Sequence, residues 1–356
     1  METTEHLFPW LNFIERPAFC VKDGVVVASN AAAQSRMLRV GTDIYDIVTE
    51  HREDYQDFNN GCLFLTVTVG GLLCNASINR TDGYDIFILE QEYDAEQLQV
   101  LTLAAQQLRI PLSNVMAVSD RLFSDLPSAD EQAQQQAGQL RRGLYQLLRI
   151  ISNMSDSANY HQTASRSSEM TNLTALYHEI IEKAQAISES AGIQLVYSEP
   201  KTPVLGLANT EKLERAVYNI LSNAIKFSPT GSTVEATLTA NSNHLSFTVC
   251  NICAEPVQQD TFWNRYRRQP GLEESRYGLG LGMTLISAVA TAHGGTVLID
   301  HPDPQTTRVT MTITIVKDNG NTVHSPIIRI SDYAGCRDKA LLEFSDFLPT
   351  DAYHNI

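Results

Sequence analysis

Cysteine is scarce in this sequence, and its distribution excludes a disulfide-stapled fold. Six cysteines, at positions 20, 62, 74, 250, 253 and 336, are scattered over 356 residues. Such scatter predicts reduced thiols. Cys250 and Cys253 form a C-x-x-C, but no second pair and no histidine at ligand spacing accompanies it. The pattern therefore argues against a zinc site.

Long apolar runs and a surplus of basic residues are also lacking. No run reaches the roughly 18 to 20 apolar residues that a membrane-spanning helix needs, and the start, METTEHLFPW, has no signal-peptide pattern. The net charge of -15 argues against general nucleic-acid binding. We therefore expect a cytoplasmic protein without membrane insertion or nucleic-acid partners. With 43% hydrophobic and 19% charged residues, the chain has the composition of two or three soluble globular domains.

Two segments stand out for their chemistry. In LERAVYNILSNAIKFSP, from Leu213 to Pro229, apolar residues recur at helical spacing while Asn219 and Asn223 lie one turn apart on another face. In YGLGLGMTLISAVATAHGG, Gly278, Gly280 and Gly282 precede a helical pattern that ends at Gly294 and Gly295. A glycine loop that leads into a helix leaves backbone N–H groups free to face a phosphate.

Together these segments resemble the asparagine box and the second glycine box of sensor histidine kinases, whose ATP-binding domain has the Bergerat-type fold. The resemblance implies ATP and Mg²⁺ as ligands. It implies that Asn223 holds the metal, that Asn219 lines the same face and that Lys226 reaches a phosphate. The glycines Gly278, Gly280 and Gly282 would approach the nucleotide. Amide oxygen is a suitable ligand for this hard cation.

The adenine end of the site departs from the family pattern. Kinases of this family carry an aspartate followed by two spaced glycines, where this sequence has Asn251, Cys253 and Glu255. Asn251 can still offer a carbonyl acceptor. The side chains at 253 and 255 occupy backbone positions that approach the base closely in the family. Phe262, Tyr266 and Arg268 resemble the aromatic box before the lid. An empty pocket remains an alternative.

Residues 1–92 show strands and turns, with a strand, an Asp-Gly turn and a second strand in AFCVKDGVVVAS. The pattern resembles a PAS-type α/β sensor domain. Nothing in it selects a ligand.

Residues 93–160 predict a two-helix hairpin. One apolar stripe runs through Leu108, Leu112 and Val115, and a second through Leu140, Leu144 and Leu147. Such a seam favours pairing of two copies into a four-helix bundle, with packing onto neighbouring domains as the alternative. The hairpin resembles the dimerisation domain of histidine kinases.

The hairpin lacks the residues that perform the family's chemistry. In AAQQLRIPLSNV, Gln106 stands at the phosphoacceptor histidine position and Gln107 at the adjacent acid. A glutamine amide is neither a useful nucleophile nor a base. His178, His161 and His293 lie beyond the predicted hairpin and are poor substitutes.

Residues 168–318 alternate helix and strand and predict a two-layer α/β sandwich. The whole chain is therefore expected to be an α+β multidomain protein. In the extension at 319–356, SPIIRI predicts an added strand, and Ala340, Leu341, Phe344 and Phe347 show near-helical spacing. This segment is expected either to dock as a helix or to cover an exposed sheet edge.

The sequence thus favours a homodimeric, histidine-kinase-like protein of two-component signalling. In this first interpretation it binds ATP and Mg²⁺ but does not phosphorylate itself, and it pairs with a response regulator or an active kinase. One alternative is an active kinase that phosphorylates another partner or residue. The other is a scaffold with an empty nucleotide pocket. The sequence does not name the signal or the partner.

Overall fold

A computed structural model describes residues 8–81, 83–89, 95–124, 131–163, 168–254, 281–316 and 337–353. In the described residues the strands form one ten-stranded sheet and one two-stranded sheet. The large sheet has the order β2-β1-β5-β4-β3-β11-β12-β10-β9-β7, in which β7 and β9 are parallel and the other neighbours are antiparallel. The fold is mixed α/β, as expected.

The N-terminal part of the large sheet is an antiparallel unit of five strands with short helices on one face. Its elements are β1 (Ala18–Lys22), β2 (Val25–Ser29), α1 (Ala31–Ser35), α2 (Ile44–Ile47), α3 (Arg52–Asp57), β3 (Cys62–Val69), β4 (Leu72–Thr81) and β5 (Tyr84–Leu89). The predicted Asp-Gly turn forms, with Asp23 and Gly24 at positive φ. Phe19, Phe58 and Phe87 lie in the buried core between the sheet and these helices.

Two long helices follow, α4 (Ala95–Ser124) and α5 (Glu131–Thr163), and they pack along each other. The predicted stripe divides between two faces. Ala105, Leu112 and Leu144 are buried, whereas Leu108 is 50% exposed and Leu147 is 51% exposed. The hairpin therefore uses half of its apolar stripe internally and leaves the other half at the surface of the chain. Among the described helices, none is long and apolar enough to cross a membrane.

The C-terminal part of the large sheet is covered by helices on one face and forms the expected two-layer sandwich. Its elements are β6 (Glu169–Asn172), α6 (Leu173–Ser190), β7 (Gln194–Ser198), β8 (Leu205–Ala208), α7 (Thr210–Phe227), β9 (Thr233–Ala240), β10 (His244–Ile252), α8 (Leu281–Ala292), β11 (Val297–Asp303) and β12 (Thr306–Thr314). The small sheet pairs β6 with β8. Helix α7 is buried on nearly all sides, since helices as well as strands pack against it.

The two parts share one sheet, which the sequence did not predict. Strand β3 pairs with β11 through Phe64 and Val297, Leu63 and Leu298, and Cys62 and Ile299. Gly61 makes this pairing possible. Its φ is +88°, and a Cβ there would stand 2.0 Å from the carbonyl oxygen of Ile299. A residue with a side chain could not approach β11 so closely.

The described part of the C-terminal extension docks on the helices. Its helix α9 (Lys339–Glu343) contacts α5, α6 and α7, and Phe344, Leu348 and Tyr353 behind it are fully buried. The described part of this segment therefore docks as a helix, which was one of the two expectations. Its apolar side chains find a buried surface among helices rather than along strand backbones. The predicted strand SPIIRI lies outside the described residues.

Candidate functional site

Helix α7 carries the amide row that the sequence indicated. The helix begins at an N-cap, Asn209, whose side chain accepts a hydrogen bond from the backbone N–H of Lys212. Leu213, Val217 and Leu221 bury one face in the core. Asn219 is 1% exposed and Asn223 and Lys226 are partly exposed, so the row runs from the interior to the surface. The three predicted phosphate-side residues of this helix therefore lie on successive turns.

Asn219 touches the start of the glycine-box helix. A Cβ built on Gly282 would lie 3.1 Å from the Oδ1 atom of Asn219, so the two segments meet where glycine leaves room. Gly278 and Gly280 lie outside the described residues, as do Glu255, Phe262, Tyr266 and Arg268. The structure thus brings Asn219 of the predicted set against Gly282, while Asn223 and Lys226 follow on the next turns of α7.

One residue of this cluster, Asn223, has a side chain that could bind a hard divalent cation. Within the described residues, the side-chain amide of Asn223 has no hydrogen-bond partner, so its oxygen is available as a ligand. Asn219 differs, because its Nδ2 donates to the carbonyl oxygen of Arg215 at 3.0 Å and to Glu343 Oε2 at 3.2 Å. Asn223 is accordingly the residue here that could hold Mg²⁺.

Asn251 lies near the end of β10, on a different element from the amide row. It is 5% exposed, and its Nδ2 donates to the carbonyl oxygen of Ile252 at 3.3 Å. The Sγ atom of Cys253 lies 3.2 Å from Thr307 Oγ1 on β12. Asn251, which was expected to meet an adenine, thus makes a local contact within its own strand, and Cys253 contacts the neighbouring strand.

Gln106 and Gln107 lie on the exposed surface of α4. The histidines weighed as substitutes sit elsewhere. His178, on α6, lies 3.2 Å from Glu199. His293 ends the glycine-box helix, where Nδ1–H donates to the carbonyl oxygen of Val289 at 2.8 Å and Nε2 accepts from the N–H of Asn209 at 3.1 Å. Burial lowers the pKa of His293 below its usual value. The side chain of His161 is outside the described set.

A buried ionic cluster that sequence reasoning missed adjoins the amide row. Glu343 of α9 is fully buried and accepts from Arg215 Nε at 3.3 Å and from Arg149 Nε at 3.1 Å. Its neighbour Asp346 lies 2.7 Å from Arg149 and 3.3 Å from Lys226. One signal was available: Arg215, Asn219 and Ser222 recur at helical spacing, and Ser222 Oγ also donates to the Glu343 carbonyl.

Comparison with known proteins identifies a domain family and several relatives that are similar to this chain. Residues 208–317 match the family described as histidine kinase-, DNA gyrase B- and HSP90-like ATPase. The sensor histidine kinase YcbM of Bacillus subtilis is 26% identical over 223 residues, which cover 60% of this chain and 70% of YcbM. The sensor histidine kinase CusS of Escherichia coli is 25% identical over 247 residues, or 67% of this chain and 48% of CusS. Residues 208–317 are therefore a domain of this ATPase family, and about 60% of the chain is similar to a sensor histidine kinase.

One solved histidine kinase structure agrees in fold. It is full-length ShkA in complex with AMPPNP, which aligns with a TM-score of 0.50 and 21% identity. The alignment covers 63% of this chain and 47% of ShkA. This chain spans about half the length of a relative such as CusS. Residues 208–317 of its sandwich are an ATPase domain of the matched family.

Proposed function

We propose that the chain is a dimeric, histidine-kinase-like relay of two-component signalling that binds ATP with Mg²⁺ and does not phosphorylate itself. The observation that carries this proposal is the contrast between two surfaces. The ATPase domain keeps an amide row beside a glycine-box helix, whereas the hairpin presents Gln106 and Gln107 where the family has its histidine and acid. A glutamine amide has no basic lone pair with which to attack a phosphoryl group.

The phosphate side of the site is assigned to α7. Asn223 would hold Mg²⁺, Lys226 would contact a phosphate, and the helix start at Gly282 would approach the same groups, with Gly278 and Gly280 before it. The AMPPNP in the ShkA complex supports a nucleotide ligand for this fold. When bound, the metal would neutralise phosphate charge, and the protein would supply a neutral amide oxygen to it.

Dimerisation is assigned to the exposed half of the hairpin stripe. On α4, Leu108, Val115 and Leu122 recur at heptad spacing and are at least half exposed. On α5, Leu140 and Leu147 recur at the same spacing and are 47% and 51% exposed. Such a seam suits a second copy of the hairpin. The same seam would accommodate an active kinase as a partner, and a response regulator is the expected downstream protein. We place the N-terminal unit as a PAS-like input domain, and the chain as a cytoplasmic protein.

Binding of Mg·ATP to purified protein, followed by calorimetry, tests the proposal. We expect binding that requires Mg²⁺ and weakens at least tenfold in Asn223→Ala, because a metal ligand is lost. Asn243→Ala, an exposed asparagine in a turn of the same domain, should bind as the wild type does. Incubation with γ-labelled ATP should leave the protein unlabelled.

Two other outcomes of these experiments would contradict the proposal, and each would support one of its alternatives. Label on the protein would indicate an active kinase that uses another residue or partner. Absence of binding in the wild type would indicate a scaffold with an empty pocket, a candidate favoured by the local hydrogen bonds of Asn251. In that case the hairpin seam alone would carry the function.

A further inference from the structure

The C-terminal segment 338–353 lies across the phosphate end of the proposed nucleotide site, and it presents two carboxylates there. Glu343 contacts Asn219, and Asp346 contacts Lys226. Lys226 is the residue to which the proposed function assigns a phosphate contact, and Asn219 belongs to the same row of α7, so the inference rests on that function. A carboxylate and a phosphate are both anions with oxygen acceptors, and they compete for the same donors.

The donors of Asn219 are fully used in this arrangement. A side-chain amide has two N–H groups. One donates to the carbonyl oxygen of Arg215, and the other donates to Glu343. Asn219 could therefore donate a hydrogen bond to a phosphate oxygen only after Glu343 has moved. The ammonium of Lys226, in turn, is 3.3 Å from Asp346, which neutralises its charge.

The basic residues that contact the segment would suit a polyanion if the segment were displaced. Arg149, Arg215 and Lys226 converge on Glu343 and Asp346, which makes three cations for two carboxylates. Removing the two acids would leave three positive groups beside the amide row. Such a cluster suits the phosphates of a nucleotide, because arginine and lysine are the side chains that bind phosphate.

The same segment also fastens α7 to the hairpin. Arg142 Nε and Gln146 Nε2, both on α5, donate to the carbonyl oxygen of Ser345 at 3.2 and 3.0 Å. Arg141 Nη1 donates to the carbonyl oxygen of Tyr353 at 3.1 Å. The ring of Phe344 packs edge-on against Tyr218 of α7. One short stretch of chain therefore holds the hairpin and the ATPase domain together.

We propose that segment 338–353 is an intramolecular lock that competes with the phosphates of Mg·ATP for Asn219 and Lys226 and holds α5 against α7. Binding of nucleotide and seating of the segment then oppose each other, and the opposition is reciprocal. Nucleotide loosens the segment and frees the hairpin, and a loosened segment strengthens nucleotide binding. Through the lock, a change at the ATP site would reach the hairpin without transfer of a phosphoryl group.

The test is Mg·ATP affinity in the full-length protein, measured for the wild type, Asp346→Asn and Asp351→Asn. Asp346 is 34% exposed, so its substitution spares the core. Loss of a partly exposed ion pair predicts about fivefold tighter binding in Asp346→Asn. Asp351, an exposed acid of the same segment, serves as the control for net charge and should leave the affinity unchanged.

Hydrogen exchange of residues 338–353 gives the reciprocal measurement. Saturating Mg·ATP should raise exchange of this segment in the wild type, and ADP without the terminal phosphate should raise it less. Equal affinity in Asp346→Asn and the wild type, together with exchange that nucleotide does not alter, would overturn the lock and leave nucleotide binding intact. Absence of nucleotide binding in every variant would overturn both the lock and the proposed function.

Discussion

Arg215 and Glu343 form an ion pair in which both side chains are almost completely removed from solvent, 2% and 0% exposed, although 127 positions of sequence separate them. Arg149 of the hairpin shares the same carboxylate. Buried charges are tolerated only when they are paired and hydrogen-bonded, and here each group has its partners. The C-terminal segment is thus part of the folded core rather than an appended tail.

Removing the carboxylate of Glu343, which the two arginines share, should greatly lower the free energy of unfolding. Glu343→Ala removes the carboxylate that Arg215 and Arg149 share and leaves Arg149 with Asp346 as its acidic partner, and we expect the free energy of unfolding to fall by about 3 to 5 kcal/mol. Urea unfolding measures the change. The exposed pair of Glu179 and Lys183 on α6 provides the comparison, since Glu179→Ala there should cost under about 1 kcal/mol. Equal losses for the two substitutions would contradict the account of the buried cluster.

The junction between the N-terminal and C-terminal parts of the large sheet predicts a large difference between two glycines. Gly61→Ala should destabilise the protein by at least about 2 kcal/mol, because its Cβ would collide with the backbone of Ile299 in addition to the strain of a positive φ. Gly71→Ala shares the positive φ, but nothing lies within 4 Å of the added Cβ, so about 1 kcal/mol is expected. Denaturant unfolding of both variants separates the effect of the Cβ collision from the effect of the positive φ. Similar losses of stability in the two variants would mean that β3 does not pair with β11.

The exposed seam of the hairpin predicts the oligomeric state. Leu108→Lys and Val115→Lys each place a charge in an interface that needs apolar side chains, so we expect dimers in the wild type and monomers in both variants. Sedimentation velocity gives the masses. Leu72→Lys, at an exposed leucine of β4, should leave the dimer intact. A wild-type monomer, or a dimer that persists in Leu108→Lys, would refute the seam.

His293 predicts a loss of stability on acidification. Its neutral ring donates through Nδ1 and accepts through Nε2, and burial holds its pKa in the folded protein below the ordinary value of 6.5. Below that pH the unfolded chain binds the proton more readily than the folded protein does. This contribution is therefore fully present above about pH 6.5 and is lost as the pH falls further. His293→Gln should show a flatter pH dependence in urea unfolding, and an unchanged slope would rule the residue out as the cause.

Local pattern was sufficient for much of the fold. The helix from Leu173 to Ser190 and the strand from Thr233 to Ala240 lie in residues 168–318, where the alternating pattern predicts helices and strands. The amide row on α7 also followed from spacing, because residues one turn apart share a face. The contacts between elements that lie far apart in the sequence could not be predicted from local pattern. The pairing of Cys62–Phe64 with β11 needs strands far apart in sequence, and neither strand encodes its neighbour.

The ionic cluster shows the same limit. The sequence around Arg215 is typical of a solvated arginine on an amphipathic helix, and the sequence around Glu343 is typical of an acid in a short apolar run. Their meeting depends on how α9 docks, which depends in turn on the packing of Phe344 and Tyr353. The sequence therefore predicted a docking helix as one option, but it could not show that the helix would reach the predicted phosphate side of the site.

The continuous sheet has a practical consequence for dissecting this protein. Cutting the chain between its N-terminal unit and its ATPase domain would remove β3, which pairs with β11 along Val297–Ile299, and would make β11 an open edge of the sheet. A newly opened strand of this kind recruits other chains. A fragment made of the ATPase domain alone should consequently aggregate, and a soluble fragment should have to retain residues from Ala18 onward.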